Sequence, residues 1–299
     1  MISSLRRPRI FRYREDRLPV LLFVLLTALD IVVYLRVDHV WLLPLYTLAV
    51  LLPKGYICAF NHHHQHVPML TRPVLNRLLE LVLSFHTGVT SKTWVLHHCL
   101  GHHAHYLDPR RDEAGWMTRD GRVMSTAHFT LVVGASVYPR AWAVSRKYPQ
   151  HRPVFVGMGL FVLALLGLAF VFRPWQAVFV FIVPMVTCLF GTALATYNHH
   201  TGRPTTNHYV ASTNIVHPVY NLLHGNLGYH TAHHIRPGLH WSRLPELHEK
   251  IKHLIPDDAY FAPGFPLGNN QPIPRPASQG VSQAQCDLLK PKHQTAEEL

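Results

Sequence analysis

Acidic residues are scarce in this chain: 16 Asp and Glu stand against 28 Lys and Arg, a formal net charge of +12. Cysteine is scarcer still. Cys58, Cys99, Cys188 and Cys286 form no C-x-x-C pair, so neither a disulfide framework nor a zinc knuckle is called for. The basic surplus comes without a helix-turn-helix, finger or RNA-binding signature, and no nucleic-acid partner is expected. Six arginines precede Leu18, but the apolar run after them is too long for a signal peptide and lacks an Ala-x-Ala-like exit. No cleavage is therefore expected there. No internal repeat is evident. Two long stretches, 154–172 and 175–197, contain no charged residue at all, and no histidine.

Those two stretches, with 18–35 and 40–60, are each long and apolar enough to cross a hydrocarbon core of about 30 Å. Buried helices of soluble proteins are rarely so long and so free of charge. The expected fold is an all-α integral membrane protein, with four transmembrane helices in two hairpins and a cytoplasmic histidine-rich helical cap. Residues 1–17 read as a basic cytoplasmic segment lying on the headgroups. Residues 18–261 read as the membrane domain, and 262–299 as a disordered tail rich in Pro, Gly, Gln and Asn.

Orientation follows from the basic residues. With the N-terminus cytoplasmic, four spans return the C-terminus to the cytoplasm, and 25 of the 28 Lys and Arg fall on that side. The two outside links then hold only Arg36 and Arg173. Lys54 is expected to snorkel from the cytoplasmic end of the second span toward the headgroups. Asp30 sits toward the outer end of the first span, with Arg36 nearby, and reads as structural. The surplus charge also suits attraction to anionic lipid.

Between the hairpins, residues 74–85 place Leu75, Leu78, Leu79, Val82 and Leu83 on one face, the pattern of an interfacial amphipathic helix. Residues 94–106 carry a histidine cluster. Residues 108–122 form a polar loop, and 129–137 are apolar but short, an interfacial or re-entrant candidate. Near the other end, 241–254 reads as a helix covering the site.

Histidine is abundant where acid is not. The chain holds 25, of which ten lie from His62 to His105, eleven from His199 to His253, and four elsewhere. Neutral imidazole is the commonest protein metal ligand. His62 and His66, and likewise His98 and His102, are spaced i, i+4, which lets one helix face hold a metal. His230, His233 and His234 would project to one side of a helix. In the expected topology every cluster lies just beyond a span on the cytoplasmic side. An imidazole-only site suits Fe, Zn, Cu or Ni, and the order of intrinsic affinities does not select among them.

Three ordered boxes beside such spans resemble the membrane-bound fatty-acid desaturase and hydroxylase family. The matches are His62 and His66, then His98, His102 and His103, then His230, His233 and His234, and the resemblance runs from about residue 20 to about residue 255. The family has a further ligand soon after the last span, in a segment that here reads His199-His200-Thr201. The resemblance assigns His200 as the ninth ligand, with His199 as the alternative. Stearoyl-type members have an Asn four residues before this histidine, and Thr196 stands there.

The resemblance implies a pair of irons that activates O₂, with electrons from a separate cytoplasmic ferredoxin, rubredoxin or cytochrome b5-type protein. It also implies a lipid acyl substrate and a bacterial inner membrane. Desaturation, hydroxylation of an acyl chain or alkane, and oxidative decarboxylation to a terminal alkene share one such framework, and desaturation is the first choice. Arg110, Arg111, Arg140, Arg146, Lys147 and Arg243 are candidate docking charges for an acidic carrier. A membrane zinc hydrolase is the alternative from another enzyme class. A metal transporter would need ligands at the midplane of its spans, and 154–172 and 175–197 supply none. Of the flanking residues, His63, His64, His97, His105 and His224 are candidate donors around the ligands, and Asp108, Asp112 and Glu113 candidate partners for their second nitrogens. His39, His128, His151 and His293 lie outside the constellation.

Overall fold

The computed structural model describes residues 9–118, 120–264 and 271–272. Disorder beyond about Pro272, Cys286 and His293 all concern residues outside that set.

Four long helices carry the fold. They are α1 (Arg17–Arg36), α2 (Leu42–His66), α5 (Arg152–Phe172) and α6 (Pro174–His200). Each is long and apolar enough to cross a membrane. Large apolar side chains on them face outward, among them Leu21, Leu25, Leu35, Leu160, Leu163 and Val171. Such a surface suits lipid and would be a liability in water. The helices pair as two antiparallel hairpins, and both tight links lie at the same end. There Arg173 donates to the carbonyls of Leu35 and Val37 and pairs with Asp38, while Gln176 donates to the Val37 carbonyl at 2.9 Å. Trp41 and Trp175 are exposed at this end, as interfacial aromatics would be.

Inside the bundle, α2 and α6 are joined by polar contacts. Residues Ala177–Ile182 of α6 wind as a π-helix. The carbonyls of Phe179 and Val180 in this stretch accept from Thr47 at 2.6 Å and from Lys54 at 3.1 Å. Carbonyls along the wider winding thus accept from side chains of a neighbouring helix. Lys54 does not snorkel. It is wholly buried, and its ammonium lies 2.9 Å from the Asp30 carboxylate. Tyr46 donates to the same carboxylate at 2.7 Å, and His86 lies 3.5 Å from it. A complementary acid from α1 outweighs the pull of the headgroups, because it neutralises the charge in place.

Among the described residues, three elements longer than a single turn occupy the interval between the hairpins. The first is α3 (Pro73–Thr87), amphipathic as its sequence predicts, ending on Gly88 at φ +69°. Any side chain at Gly88 would collide with the Met185 carbonyl, 2.4 Å from the position of its Cβ. The second is a π-helix, Val95–His103. The third is α4 (Thr126–Ser145), a full helix where the sequence suggests only a short apolar patch at 129–137. The polar ends of α4 hid its length, since only Phe129, Val133, Val137, Ala141 and Val144 among its large or apolar residues turn inward.

Beyond α6 come α7 (Pro218–Leu223), α8 (His230–Ile235) and α9 (Leu244–Ile251). The expected 241–254 helix is shorter, because Trp241–Arg243 and Lys252–Leu254 take tighter 3-10 turns. Residues 9–16 pack against the rest of the protein. Arg12 and Thr71 exchange backbone bonds with Met69 and Ile10, and buried Asp16 accepts from both His240 (3.0 Å) and Trp241 (2.8 Å). A buried carboxylate must be paired, and this pairing straps the N-terminal segment under the cap.

Candidate metal centre

The C-terminal ends of α2 and α6 lie at the end of the bundle opposite the tight links. The π-helix and α8 pack there as well. All nine candidate ligands of the sequence meet at this end, and eight of them are buried, with His103 partly so. They fall into two neighbouring groups. His62, His66, His98, His103 and His233 have one nitrogen each within 4.8 Å of one another, as do His102, His200 and His234. His230 joins the second group, its Nε2 lying 3.0 Å from His200 Nε2 and 3.2 Å from His234 Nε2.

The partition differs from what an α-helical reading of the boxes implies. His98 and His102 were expected to share one metal at i, i+4. The π winding instead aligns His98 with His103 at i, i+5, with Nε2 atoms 3.0 Å apart. His102 is thereby turned to the second group, 3.3 Å from His200. The third box is split as well. His233 meets His103 at 3.0 Å, whereas His230 and His234 face the other group.

Within the first group, the Nε2 of His62 lies 2.7 Å from that of His98, which in turn contacts His103. A neutral Nε2 carries either one hydrogen or one lone pair, so His98 and His103, each meeting two other rings at that atom, cannot pair with both by hydrogen bonds. Burial, reinforced by neighbouring imidazoles, holds His98, His103, His230, His233 and His234 well below the usual histidine range, so protons do not resolve the conflict. A cation between the rings does. With metal–nitrogen bonds of about 2.0–2.1 Å, donors on opposite sides of an ion lie roughly 4 Å apart, within the span of each group. The residues therefore fit a metal cofactor.

Partners on the outer nitrogens orient several rings. His102 Nδ1 lies 2.8 Å from Asp112, which also accepts from the Ala114 amide. His200 Nδ1 donates to the Ala211 carbonyl at 3.0 Å, and the Cys99 thiol lies 3.6 Å from His66 Nδ1. Of the three acids singled out in the loop, Asp112 alone bonds a candidate ligand. Asp108 caps its own loop through the Arg110 amide, and Glu113 sits 3.9 Å from Arg140.

The remaining histidines take supporting places. His199 is not in either group: its ring stacks on His230 at 4.0 Å, and its Nδ1 faces the Thr213 carbonyl. His63 contacts the His224 carbonyl, and His64 lies 3.6 Å from buried Glu80. His97 is buried and stacked on Trp94, and His105 is half-buried. His39 and His128 are exposed, away from the cluster. Tyr106, in ring contact with His234, and Tyr220, hydrogen-bonded to His199, carried no sequence signal beyond lying near a box.

Gly228 sets the approach to α8. A Cβ there would meet the Ile215 carbonyl at 2.3 Å, so only glycine lets this segment pair with Ile215. A narrow, mostly apolar cavity reaches the first group, lined by Trp94, Val133, Gly134, Val137, Leu189 and Ala193, with His98 at its wall. On the same cap, a cleft of about 240 Å³ is lined by Arg110, Arg111 and Lys147.

Comparison with known proteins agrees with this geometry. Residues 39–264 match the family described as fatty acid desaturase, and no curated protein matches the chain. That match takes in both histidine groups and three of the four long helices, so this chain is a membrane oxidoreductase of the fatty acid desaturase family.

Proposed function

We propose that the protein introduces a C=C bond into a lipid acyl chain, using O₂ and two irons held by the nine imidazoles. The convergence of those rings at one end of an apolar bundle carries this reading. An unactivated C–H bond offers no acidic proton and no polarised carbonyl for acid–base chemistry, so a redox metal with O₂ would supply the oxidant. His62, His66, His98, His103 and His233 would hold one ion, and His102, His200, His230 and His234 the other. Five nitrogen donors exceed the tetrahedral set that zinc prefers, which favours a metal of higher coordination over a zinc hydrolase.

Val133, Val137, Leu189 and Ala193 present apolar walls beside His98 and exclude water there, and they would have to part for an acyl chain to enter, since the cavity between them is only about 10 Å³. Trp94, stacked on His98, closes the wall at the candidate ligands. Asp112 fixes the tautomer of His102. The metal-bearing end faces the cytoplasm of a bacterial inner membrane, where a ferredoxin-, rubredoxin- or cytochrome b5-type donor delivers electrons. Arg110, Arg111 and Lys147 attract that acidic carrier.

The test is expression with a matched electron donor, followed by mass analysis of cellular fatty acids and hydrocarbons. A new monounsaturated acid is the expected result. Hydroxylated acids or terminal alkenes would instead assign those outcomes to the same site, and unchanged lipids would overturn the acyl substrate.

A further inference from the structure

Beside the second histidine group lies a side chain outside the ligand set. Tyr106 is buried, and its ring centroid is 4.2 Å from that of His234 and 6.0 Å from those of His102 and His200. Its hydroxyl donates to His208 Nδ1 at 2.5 Å. His208, on the loop that follows α6, is only half-buried. One phenol thus bridges a candidate ligand and a base that reaches the surface.

A reaction that consumes O₂ needs electrons, and the metal groups are enclosed. A buried phenol that lost an electron alone would be left as a cation without solvent, a costly state. It can be oxidised only if its proton departs at the same time. Imidazole accepts protons near neutral pH, and partial exposure of His208 lets water stabilise the charge it then carries.

We propose that Tyr106 is a redox-active relay between the protein surface and the metal centre at His102, His200, His230 and His234, with His208 as its proton acceptor. The inference rests on the metal reading given above. With iron held there and oxidised by O₂, one electron would leave Tyr106 for the metal site as the phenolic O–H bond breaks and the proton bonds to His208 Nδ1. A neutral tyrosyl radical and an imidazolium remain. A one-electron donor protein then reduces the radical, and the proton returns from His208 to the phenol oxygen. The cycle moves one electron from donor to centre with no net proton. Tyr220 forms a second phenol–imidazole pair, with His199 at 3.3 Å, but only His199 touches the candidate ligand His230. Among the described residues, Tyr106 is the phenol in direct ring contact with a candidate ligand.

The experiment uses the full-length, iron-loaded, reduced protein, mixed with O₂ and freeze-quenched for electron paramagnetic resonance. The expected result is a radical whose hyperfine pattern narrows when ring-deuterated tyrosine is incorporated. That signal should disappear in Tyr106→Phe and in His208→Gln, each with iron content unchanged. A signal that survives in Tyr106→Phe overturns the proposal by placing the radical elsewhere. So does the absence of any radical in wild-type protein that binds iron and still converts lipid. Protein that binds no iron overturns the metal reading, and this inference with it.

Discussion

Asp112 shows how one carboxylate orients a candidate ligand. Its carboxylate holds the outer nitrogen of His102 at 2.8 Å and is itself fixed by the Ala114 amide. Removing its charge should leave the helix intact but lower the basicity of the ring. Asp112→Asn is expected to weaken metal binding about 10–100-fold, measured by competition with a chelator, with circular dichroism unchanged. Unaltered affinity would show that the carboxylate only ties the loop. The acid was one of three candidates in the sequence, and Asp108 lies nearer in number to His102 than Asp112 does. Only the fold of the 108–114 loop separates them, because spacing along an irregular segment does not tell which side chain turns inward.

At the scale of elements, two π-helical stretches do what regular winding could not. In α6 the stretch at Ala177–Ile182 receives Thr47 and Lys54. At Val95–His103 it sends His98 and His103 to one group and His102 to the other. Histidine spacing is legible in sequence, but winding is not, since i, i+4 and i, i+5 alignments are both available to the run His97–His103. The Asp30–Lys54 pair was missed for a related reason: the two residues lie on different helices, and hydropathy along one helix does not show who faces whom. Lys54→Met is expected to destabilise the protein by about 3–5 kcal/mol, since it strands a buried carboxylate, and Asp30→Asn in the same chain should recover most of the loss. Thermal unfolding in detergent measures both. Full stability of the single variant would mean that the pair does not hold α1 to α2.

For the whole molecule, the geometry puts every long-helix end that bears a box on one side, and the positive-inside rule says which side that is. The three described cysteines are buried, so a chain with Cys286→Ser gives a low thiol background. Exposed Arg111 and His39 lie at opposite ends of the bundle. Arg111→Cys should react with an impermeant thiol reagent only from the cytoplasmic face, and His39→Cys only from the opposite face. The reverse labelling would invert the topology and move the electron donor to the other compartment.

What the chain determined unaided was the number of spans, the pairing into hairpins and the gathering of histidines just beyond the spans; the choice of nine among them came from the family resemblance. These depend on apolar length and on residue type, both local properties. The allotment of five rings to one group and four to the other came only with the tertiary structure, as did the burial of Lys54 and the contact between Tyr106 and His234. Each depends on helical winding and on which faces of separate helices pack together, and neither is set within a few residues of sequence.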